Sequence, residues 1–229
     1  MRLAGLIDIA QEKNHVFIRH PVVPDPLNIP RQTPRPENRR FYPDRDLTPN
    51  SLGIYPFNLT NPMAGDPVPE NATGLLLRYT QWMLEVIGAD GFRIDAARHI
   101  PPWYFSAFFD NVCYQRGRPN LDGSPRTPYS FSEDFTGDFN ELRQYIRKDG
   151  FGNRDVLDFP LFFTMQSVFN AGGFGDMRQL EYASVDGIDG NANDGSVGVT
   201  FVASHDEPAP ALDNVAYAYI LTRTGYPIV

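Results

Sequence analysis

Apolar residues recur at three- and four-residue intervals in the segment that begins near residue 70, and this spacing is typical of an amphipathic helix. The run extends from Leu75 to Ile87, and Gly88 follows as a C-terminal stop. Apolar and charged side chains then alternate through residues 91–95, which indicates a short strand. We therefore predict a helix that leads directly into a strand ending at Asp95.

The same change between helical and strand-like patterns continues to the end of the chain. A second helix is predicted to begin at Pro101-Pro102, and a polar loop follows over 111–126. After the loop, strands are predicted over 129–133, 156–159, 197–204 and 226–229. Helices are predicted between them, over 138–148, 161–169 and 214–222. Because strand and helix alternate, we expect a parallel sheet with right-handed crossovers and an α/β fold. No glycine-rich phosphate loop follows any of these strands, which disfavours a nucleotide-binding sheet.

Residues 1–69 show no such periodicity. Twelve of the 21 prolines fall between Pro21 and Pro69, and proline is not tolerated in a long central strand. We therefore predict an irregular segment. A segment of this length without regular elements is usually a linker or an active-site loop region, and both a solvated loop and a wall of a substrate cleft remain open.

Composition narrows the possible partners. The formal net charge of −8 argues against a nucleic-acid partner, which would require a basic surface. No apolar run approaches the roughly 20 residues that a membrane-spanning helix needs, so no membrane partner is expected. The single cysteine, Cys113, excludes an internal disulfide framework and disfavours a cysteine-based metal site.

Residues 186–195 are dense in oxygen ligands, so a calcium loop has to be considered. A calcium-binding EF-hand loop requires glycine at its sixth position and glutamate at its twelfth. Counted from Asp189, those positions hold Asp194 and Thr200. The pattern fails, and a turn-forming loop is predicted instead.

The segment 88–99 carries the first candidate chemistry. Arg93 and Asp95 are two residues apart, so they point to the same side of a strand. The arginine favours the ionised form of the carboxylate, and an oriented, ionised carboxylate is what a covalent catalyst of sugar transfer needs. An isolated Arg-x-Asp pair is nevertheless usually a structural ion pair.

Two further acidic groups change that interpretation. Glu133 stands at the end of the next predicted strand, and His205-Asp206 at the end of a later one. In a β/α barrel the reacting groups lie at the C-terminal ends of the strands. Three acids at three such ends are hard to explain as structural pairs alone, and we take Asp95, Glu133 and Asp206 as candidate catalytic residues.

These segments are similar to the signature regions of a known family. Residues 91–99 resemble the second signature region of the α-amylase superfamily, glycoside hydrolase family 13. Residues 131–133 resemble its third region, residues 201–206 its fourth, and residues 55–59 the extra region before its fourth strand. Their order along the chain agrees with the family, and the resemblance implies a (β/α)8 TIM-barrel catalytic domain.

The resemblance also implies a role for each residue. Asp95 would be the nucleophile that forms a covalent glycosyl-enzyme intermediate, and Glu133 would be the general acid and base. Asp206 would bind sugar hydroxyls and distort the ring, Arg93 would orient the nucleophile, and His205 would bind the sugar at the reacting subsite.

Two more site residues, the substrate and the cofactor follow from the same resemblance. Arg98 and His99 would reach the leaving-group side of the cleft. The expected substrate is an α-glucan or oligosaccharide, cleaved at α-glucosidic bonds by hydrolysis or transfer. No cofactor is implied with certainty, although calcium is possible.

The chain departs from the family pattern at its N-terminal side. The first signature region carries an aspartate four residues before an Asn-His pair, whereas Asn14-His15 is preceded at that distance by Ala10. We therefore expect strands four to seven and the start of strand eight, in a partial barrel over 70–229 that follows a domain-B-like loop segment over 1–69. The 229-residue chain alone is then expected to be inactive and poorly soluble. Glu207 replaces an asparagine found in many relatives, which leaves the subsite preference open.

Two alternatives remain. A non-catalytic amylase-like carbohydrate-binding or scaffold module would keep the fold, but such relatives usually lack one of the three acids. A metal hydrolase built on His205 would need further histidine ligands, and two of the other three histidines, His15 and His20, lie in the irregular segment. Hydrolysis, transglycosylation and isomerisation share these residues, so the sequence does not separate them.

Overall fold

The computed structural model describes residues 13–15, 28–30, 70–100, 102–189 and 197–229. The chain forms two compact units, one of Met1–Asp90 with Trp103–Pro128 and one of Gly91–Pro102 with Tyr129–Val229. All the candidate site residues belong to the second unit. The predicted division at residue 69 adjoins a stretch outside the described residues, so it stays a prediction.

In the first unit a short antiparallel ladder joins three strands: β1 (Lys13–His15), β2 (Asn28–Pro30) and β3 (Glu70–Asn71). Asn14 pairs with Ile29 on one side and with Asn71 on the other. The Asn14-His15 pair thus lies in a three-residue antiparallel strand, unlike the parallel barrel strand that carries Asn-His in the resembled family. The motif at 55–59 lies outside the described residues.

The first unit also contains the helices that were predicted on either side of the nucleophile strand. Helix α1 (Ala72–Trp82) continues as a π-helical turn (Met83–Ile87), which Gly88 ends with a left-handed φ of 79°. The second helical run consists of α2 (Pro102–Tyr104), a π-helical turn (Phe105–Phe109) and α3 (Asp110–Arg116). Helices α1 and α3 pack against each other.

The second helical run is longer than predicted. The polar loop was predicted to start at residue 111, but Asn111, Val112 and Cys113 are buried within α3. The helix instead ends at Gly117, whose backbone N–H donates to the Cys113 carbonyl oxygen at 2.9 Å. The polar residues from Asn111 onwards do not end the helix, because the buried face of α3 continues for another turn.

The second unit is organised around a five-stranded parallel sheet. Its strands are β4 (Gly91–Ile94), β5 (Tyr129–Ser132), β6 (Arg154–Leu157), β7 (Gly198–Thr200) and β8 (Tyr226–Pro227). They lie side by side in chain order, and every neighbouring pair is parallel. This confirms the predicted α/β fold with a parallel sheet.

Three helices connect the last strands: α4 (Phe139–Arg143), α5 (Phe159–Phe169) and α6 (Asp213–Thr222). The prediction for α4 was too long, because the chain turns back after it and Arg147 pairs with Arg154 in an antiparallel bridge. Strand β6 was predicted to reach residue 159, but Asp158 caps α5 by accepting a hydrogen bond from the Leu161 N–H at 3.1 Å. Strand β7 ends at Thr200, four residues earlier than predicted.

A phenylalanine-rich core lies among β5, β6, β7 and α5. Its buried members are Leu157, Phe159, Phe162, Val199 and Phe201, with Tyr129, Phe131, Phe135 and Phe163 packed against them. Phe162 and Phe201 stack with ring centroids 4.7 Å apart. Burying each such side chain stabilises the fold by roughly 1.5–3 kcal/mol, so this cluster stabilises β5 and β7, the strands that precede Glu133 and Asp206.

The acidic loop that was considered for calcium is tied to the sheet instead. Asp186 is fully buried and accepts hydrogen bonds from the backbone N–H groups of Val197 and Gly198. Arg223 forms an ion pair with the same carboxylate at 3.3 Å. Residues 190–196 lie outside the described residues. None of the helices in the described part of the chain is long and apolar enough to cross a membrane.

Candidate active site

Adjacent parallel strands bring the first two candidate acids together. The pairing of β4 with β5 continues beyond the last ladder residues, because the Glu133 N–H donates to the Ile94 carbonyl at 2.8 Å. The Ala97 N–H then donates to the Glu133 carbonyl at 2.8 Å. Asp95 and Glu133 therefore follow neighbouring strands at the same edge of the sheet, as expected for parallel strands.

A backbone turn directs the chain after Asp95 towards Glu133. Ala96 has a φ of 46°, the only positive φ outside glycine among the described residues. In this left-handed conformation the Ala96 N–H donates to the Glu133 side chain at 3.2 Å. Such a conformation costs about 1–3 kcal/mol outside glycine and persists where surrounding contacts impose it. Here it holds the Glu133 side chain against the loop that follows Asp95.

A single guanidinium contacts both carboxylates. Arg93 Nη1 forms an ion pair with Asp95 Oδ1, and Arg93 Nη2 lies 2.9 Å from Glu133 Oε2. The two acids differ in their exposure to solvent, with 68% of the Asp95 side chain exposed but only 12% of the Glu133 side chain. Arg93 thus connects one accessible and one largely buried carboxyl group.

The local environments shift the pKa values of Asp95 and Glu133 in opposite directions. The hydrogen bond from the Glu133 carboxyl lowers the pKa of Asp95, and the charge of Arg93 lowers it further. Burial raises the pKa of Glu133, and the hydrogen bond to Asp95 raises it further. Two titratable groups whose pKa values are separated in this way are suited to divide nucleophile and acid roles. Nothing in the sequence had revealed what would raise the pKa of Glu133.

The third acid follows β7 at the same edge of the sheet. His205 Nε2 lies 3.1 Å from Asp206 Oδ2, and both side chains are about two-thirds exposed, at 66% and 64%. The Ser204 hydroxyl fixes the turn by accepting hydrogen bonds from the Asp206 and Glu207 N–H groups. The charge of His205 also lowers the pKa of Asp95.

Comparison with known proteins identifies the family of this chain. The chain is 33% identical over 171 residues to an α-amylase of Geobacillus stearothermophilus, covering 70% of this chain and 28% of that protein. It is 32% identical over 162 residues to an α-amylase of Bacillus licheniformis, covering 66% and 29%. The chain belongs to the α-amylase family. It spans less than a third of the length of these relatives.

A solved structure gives the same fold for this α-amylase family chain. It aligns with the cyclic alpha-maltosyl-(1→6)-maltose hydrolase from Arthrobacter globiformis with a TM-score of 0.51 at 15% identity, covering 76% of this chain and 41% of that protein. At that identity the likeness concerns the fold alone. No protein-family model matches the sequence.

The two remaining predicted site residues of this α-amylase family chain turn towards a different carboxylate. Arg98 forms ion pairs with Glu141 at 3.1 Å and with the buried Asp134 at 3.7 Å. The charge of His99 lowers the pKa of Asp134. The structure therefore brings Arg93, Asp95 and Glu133 into contact and places His205 and Asp206 after β7 at the same edge of the sheet. It places Arg98 beside Asp134, which sequence reasoning missed. The predicted contact of Arg98 and His99 with the leaving group stays a prediction.

The calcium prediction has no donor set to support it in the described part of the chain. No group of three or more histidine, cysteine, aspartate or glutamate side chains is placed there to hold a metal ion. Calcium in this α-amylase family chain stays a prediction.

The opposite pKa shifts predict the pH dependence of activity. If Asp95 acts as the nucleophile and Glu133 as the general acid, Asp95 has to be ionised and Glu133 protonated, so kcat/KM should follow a bell-shaped pH profile. We expect the acid limb below pH 3.8 and the alkaline limb above pH 4.5, because the pKa of Asp95 is lowered from 3.8 and that of Glu133 is raised from 4.5. Both limbs belong to the coupled pair. Initial rates measured between pH 3 and 9 check this, and an alkaline limb at or below pH 4.5 would contradict it.

Proposed function

We propose that this chain carries the catalytic centre of a glycosidase of the α-amylase type, which cleaves or transfers α-glucosidic bonds with retention of configuration. One observation carries the proposal: the Arg93 guanidinium contacts an exposed carboxylate of lowered pKa, Asp95, and a largely buried carboxyl of raised pKa, Glu133. The proposed substrate is an α-glucan or oligosaccharide, because the relatives at 33% and 32% identity are named α-amylases.

The spacing of the acids supports retention. Retaining glycosidases hold their two carboxyl groups about 5–5.5 Å apart, whereas inverting enzymes leave about 6.5–9.5 Å for a water molecule. Asp95 and Glu133 contact the same guanidinium, that of Arg93. Sharing one guanidinium keeps the two carboxyl groups close together, which favours direct attack by Asp95 over attack by a water molecule held between them.

The proposed reaction has two steps. Asp95 attacks the anomeric carbon while the protonated Glu133 donates its proton to the departing glycosidic oxygen, which breaks the glycosidic bond and forms a glycosyl ester. Glu133, now ionised, then takes a proton from water or from a sugar hydroxyl, which attacks the anomeric carbon and releases Asp95. The free product is a hydrolysed sugar in the first case and a transferred sugar in the second.

The other residues assist this reaction. Arg93 keeps Asp95 ionised and holds it beside the acid. His205 and Asp206 are exposed at the same sheet edge, so their polar groups can bind sugar hydroxyls. In the same proposal, β4 to β8 correspond to barrel strands four to eight, and residues 1–69 correspond to the domain-B-like segment.

The stereochemistry of the first product tests this proposal. The longest natural chain that contains these residues is incubated with starch, maltose, sucrose and trehalose, and the released sugars are followed by proton NMR from the first turnovers. We expect the α-anomer to appear before mutarotation. A β-anomer as the first product would contradict the retaining mechanism. Binding of oligosaccharide with no turnover on any substrate would instead indicate the non-catalytic carbohydrate-binding module.

A further inference from the structure

The loop that follows Asp95 is attached to the chain after Glu133 by an arginine outside the reacting pair. Arg98 Nη1 donates to the Phe135 carbonyl at 3.1 Å, and Arg98 Nη2 donates to Glu141 Oε1 at 3.1 Å. Its Nε lies 3.7 Å from Asp134 Oδ1. We call Arg98, Asp134, Phe135 and Glu141 the Arg98 cluster. Its members come from the segment after β4, the segment directly after β5, and the first turn of α4.

Disrupting this cluster would leave the buried carboxyl group of Asp134 without Arg98 as its ion-pair partner. The Asp134 side chain is fully buried, and within the described ranges neither of its oxygens accepts a hydrogen bond. Burial raises the pKa of Asp134 to about 6, while the charges of Arg98 and His99 oppose that rise. A buried charge needs a partner, so the Arg98 guanidinium is held close to the residue that immediately follows the catalytic acid.

A second contact holds the same loop. The Tyr145 hydroxyl donates to the Ile100 carbonyl at 3.3 Å, and its ring is buried. The backbone bonds from Ala96 and Ala97 to Glu133 lie between these two attachments. The position of Asp95 relative to Glu133 thus depends on a loop that is fixed on both sides of Ala97.

We propose that Arg98 is a positioning residue for the reacting pair. Its guanidinium holds the loop of the nucleophile against the segment that carries the general acid, and it acts through the Ala96 and Ala97 bonds to Glu133. This role rests on the proposed function for its catalytic consequence, but the attachment itself does not. It differs from a role in sugar binding, because the donors of Arg98 are directed at protein oxygens.

Arg98→Gln tests the role in catalysis. We expect kcat per folded molecule to fall at least tenfold, because the acids lose their relative placement, while KM changes less than threefold, because Arg98 does not bind the sugar. The folded fraction is measured by circular dichroism so that lost stability is not counted as lost kcat. An Arg98→Gln enzyme with kcat within twofold of wild type would overturn the proposal, since a purely structural arginine would give that result.

Glu141→Gln separates the cluster from a substrate contact. If Arg98 positions the loop through Glu141, this variant should lower kcat severalfold, and the Arg98→Gln/Glu141→Gln double variant should be no worse than Arg98→Gln alone. If Arg98 binds the leaving group directly, Glu141→Gln should leave kcat unchanged and Arg98→Gln should raise KM. That second pattern would overturn the proposal.

Arg147→Gln is the matched control. Arg147 has nearly the same exposed fraction as Arg98, 29% against 32%, and it also forms an ion pair, with Asp149 at 2.8 Å. Since its partner lies close by in sequence and belongs to neither the Asp95 loop nor the Glu133 segment, this variant should keep the wild-type kcat. A loss equal to that of Arg98→Gln would show a general effect of removing an arginine and would overturn the assignment.

Amide hydrogen exchange tests the attachment without turnover. Exchange at Ala96 and Ala97 should become at least tenfold faster in Arg98→Gln and stay unchanged in Arg147→Gln, with α5 as the internal reference. Unchanged exchange at both alanines overturns the proposal. If the wild-type protein shows no glycosidase activity, the proposed function fails, and this measurement alone decides whether Arg98 holds the loop.

Discussion

Asp95→Asn should lower kcat by about three orders of magnitude or more, because the amide keeps the shape of the side chain but cannot attack the anomeric carbon. The variant should fold normally, since the Asp95 side chain is 68% exposed and contributes little to the core. Single-turnover assays on an oligosaccharide, with circular dichroism as the folding check, measure both effects.

Asp90→Asn is the matched control for this substitution. Asp90 lies five residues earlier, is exposed, and forms an ion pair with Arg118 at 3.3 Å. It has no place in the proposed reaction, so its variant should keep the wild-type kcat. An Asp95→Asn enzyme that retains more than about a tenth of wild-type kcat would exclude Asp95 as the nucleophile, because loss of covalent attack costs far more than one order of magnitude.

Glu133→Gln should produce a loss that depends on the leaving group. Substrates with poor leaving groups need the proton of Glu133, and for them kcat should fall by about 10²–10⁴-fold. Activated aryl glycosides should still form the glycosyl-enzyme intermediate, which then waits for a base. Mass spectrometry of the quenched enzyme should show that intermediate on Asp95.

Adding azide to the Glu133→Gln enzyme tests whether the function it has lost is that of a general base. This small anion needs no general base, so it should restore turnover of the aryl glycoside and yield a glycosyl azide of retained configuration. Glu181→Gln, a change at an exposed carboxylate outside the site, should behave as wild type. Equal losses on both substrate classes with no recovery by azide would assign Glu133 a structural role.

The features of the fold and site that could be predicted from the sequence are those that depend on local geometry. The two-residue spacing of Arg93 and Asp95 requires only that the segment is a strand, and the structure shows the ion pair at the end of β4. The parallel sheet followed from the alternation of helix and strand, because each strand in such a fold pairs with its neighbour along the chain. The pattern of signature regions then identified Glu133.

The features that could not be predicted from the sequence depend on contacts between residues distant in sequence. The raised pKa of Glu133 comes from burial, which no local pattern reveals. Arg98 was predicted to face the substrate because of its place in a motif, yet buried Asp134 and the first turn of α4 offer it partners 36 and 43 residues away. Strand β6 ended early for the same kind of reason, since the Asp158 side chain caps α5 once the helix has folded against the sheet.

The order of the strands has a consequence for how the site assembles during synthesis. Each strand of the parallel sheet neighbours the strand that precedes it in the chain, so the sheet can grow from one edge as the polypeptide leaves the ribosome. The segments that carry Arg93, Asp95 and Glu133 can pair before β7 is translated, and His205 and Asp206 follow later. Within this sheet, the proposed reacting pair is therefore formed by strands made earlier than the strand that precedes the residues proposed to recognise the sugar.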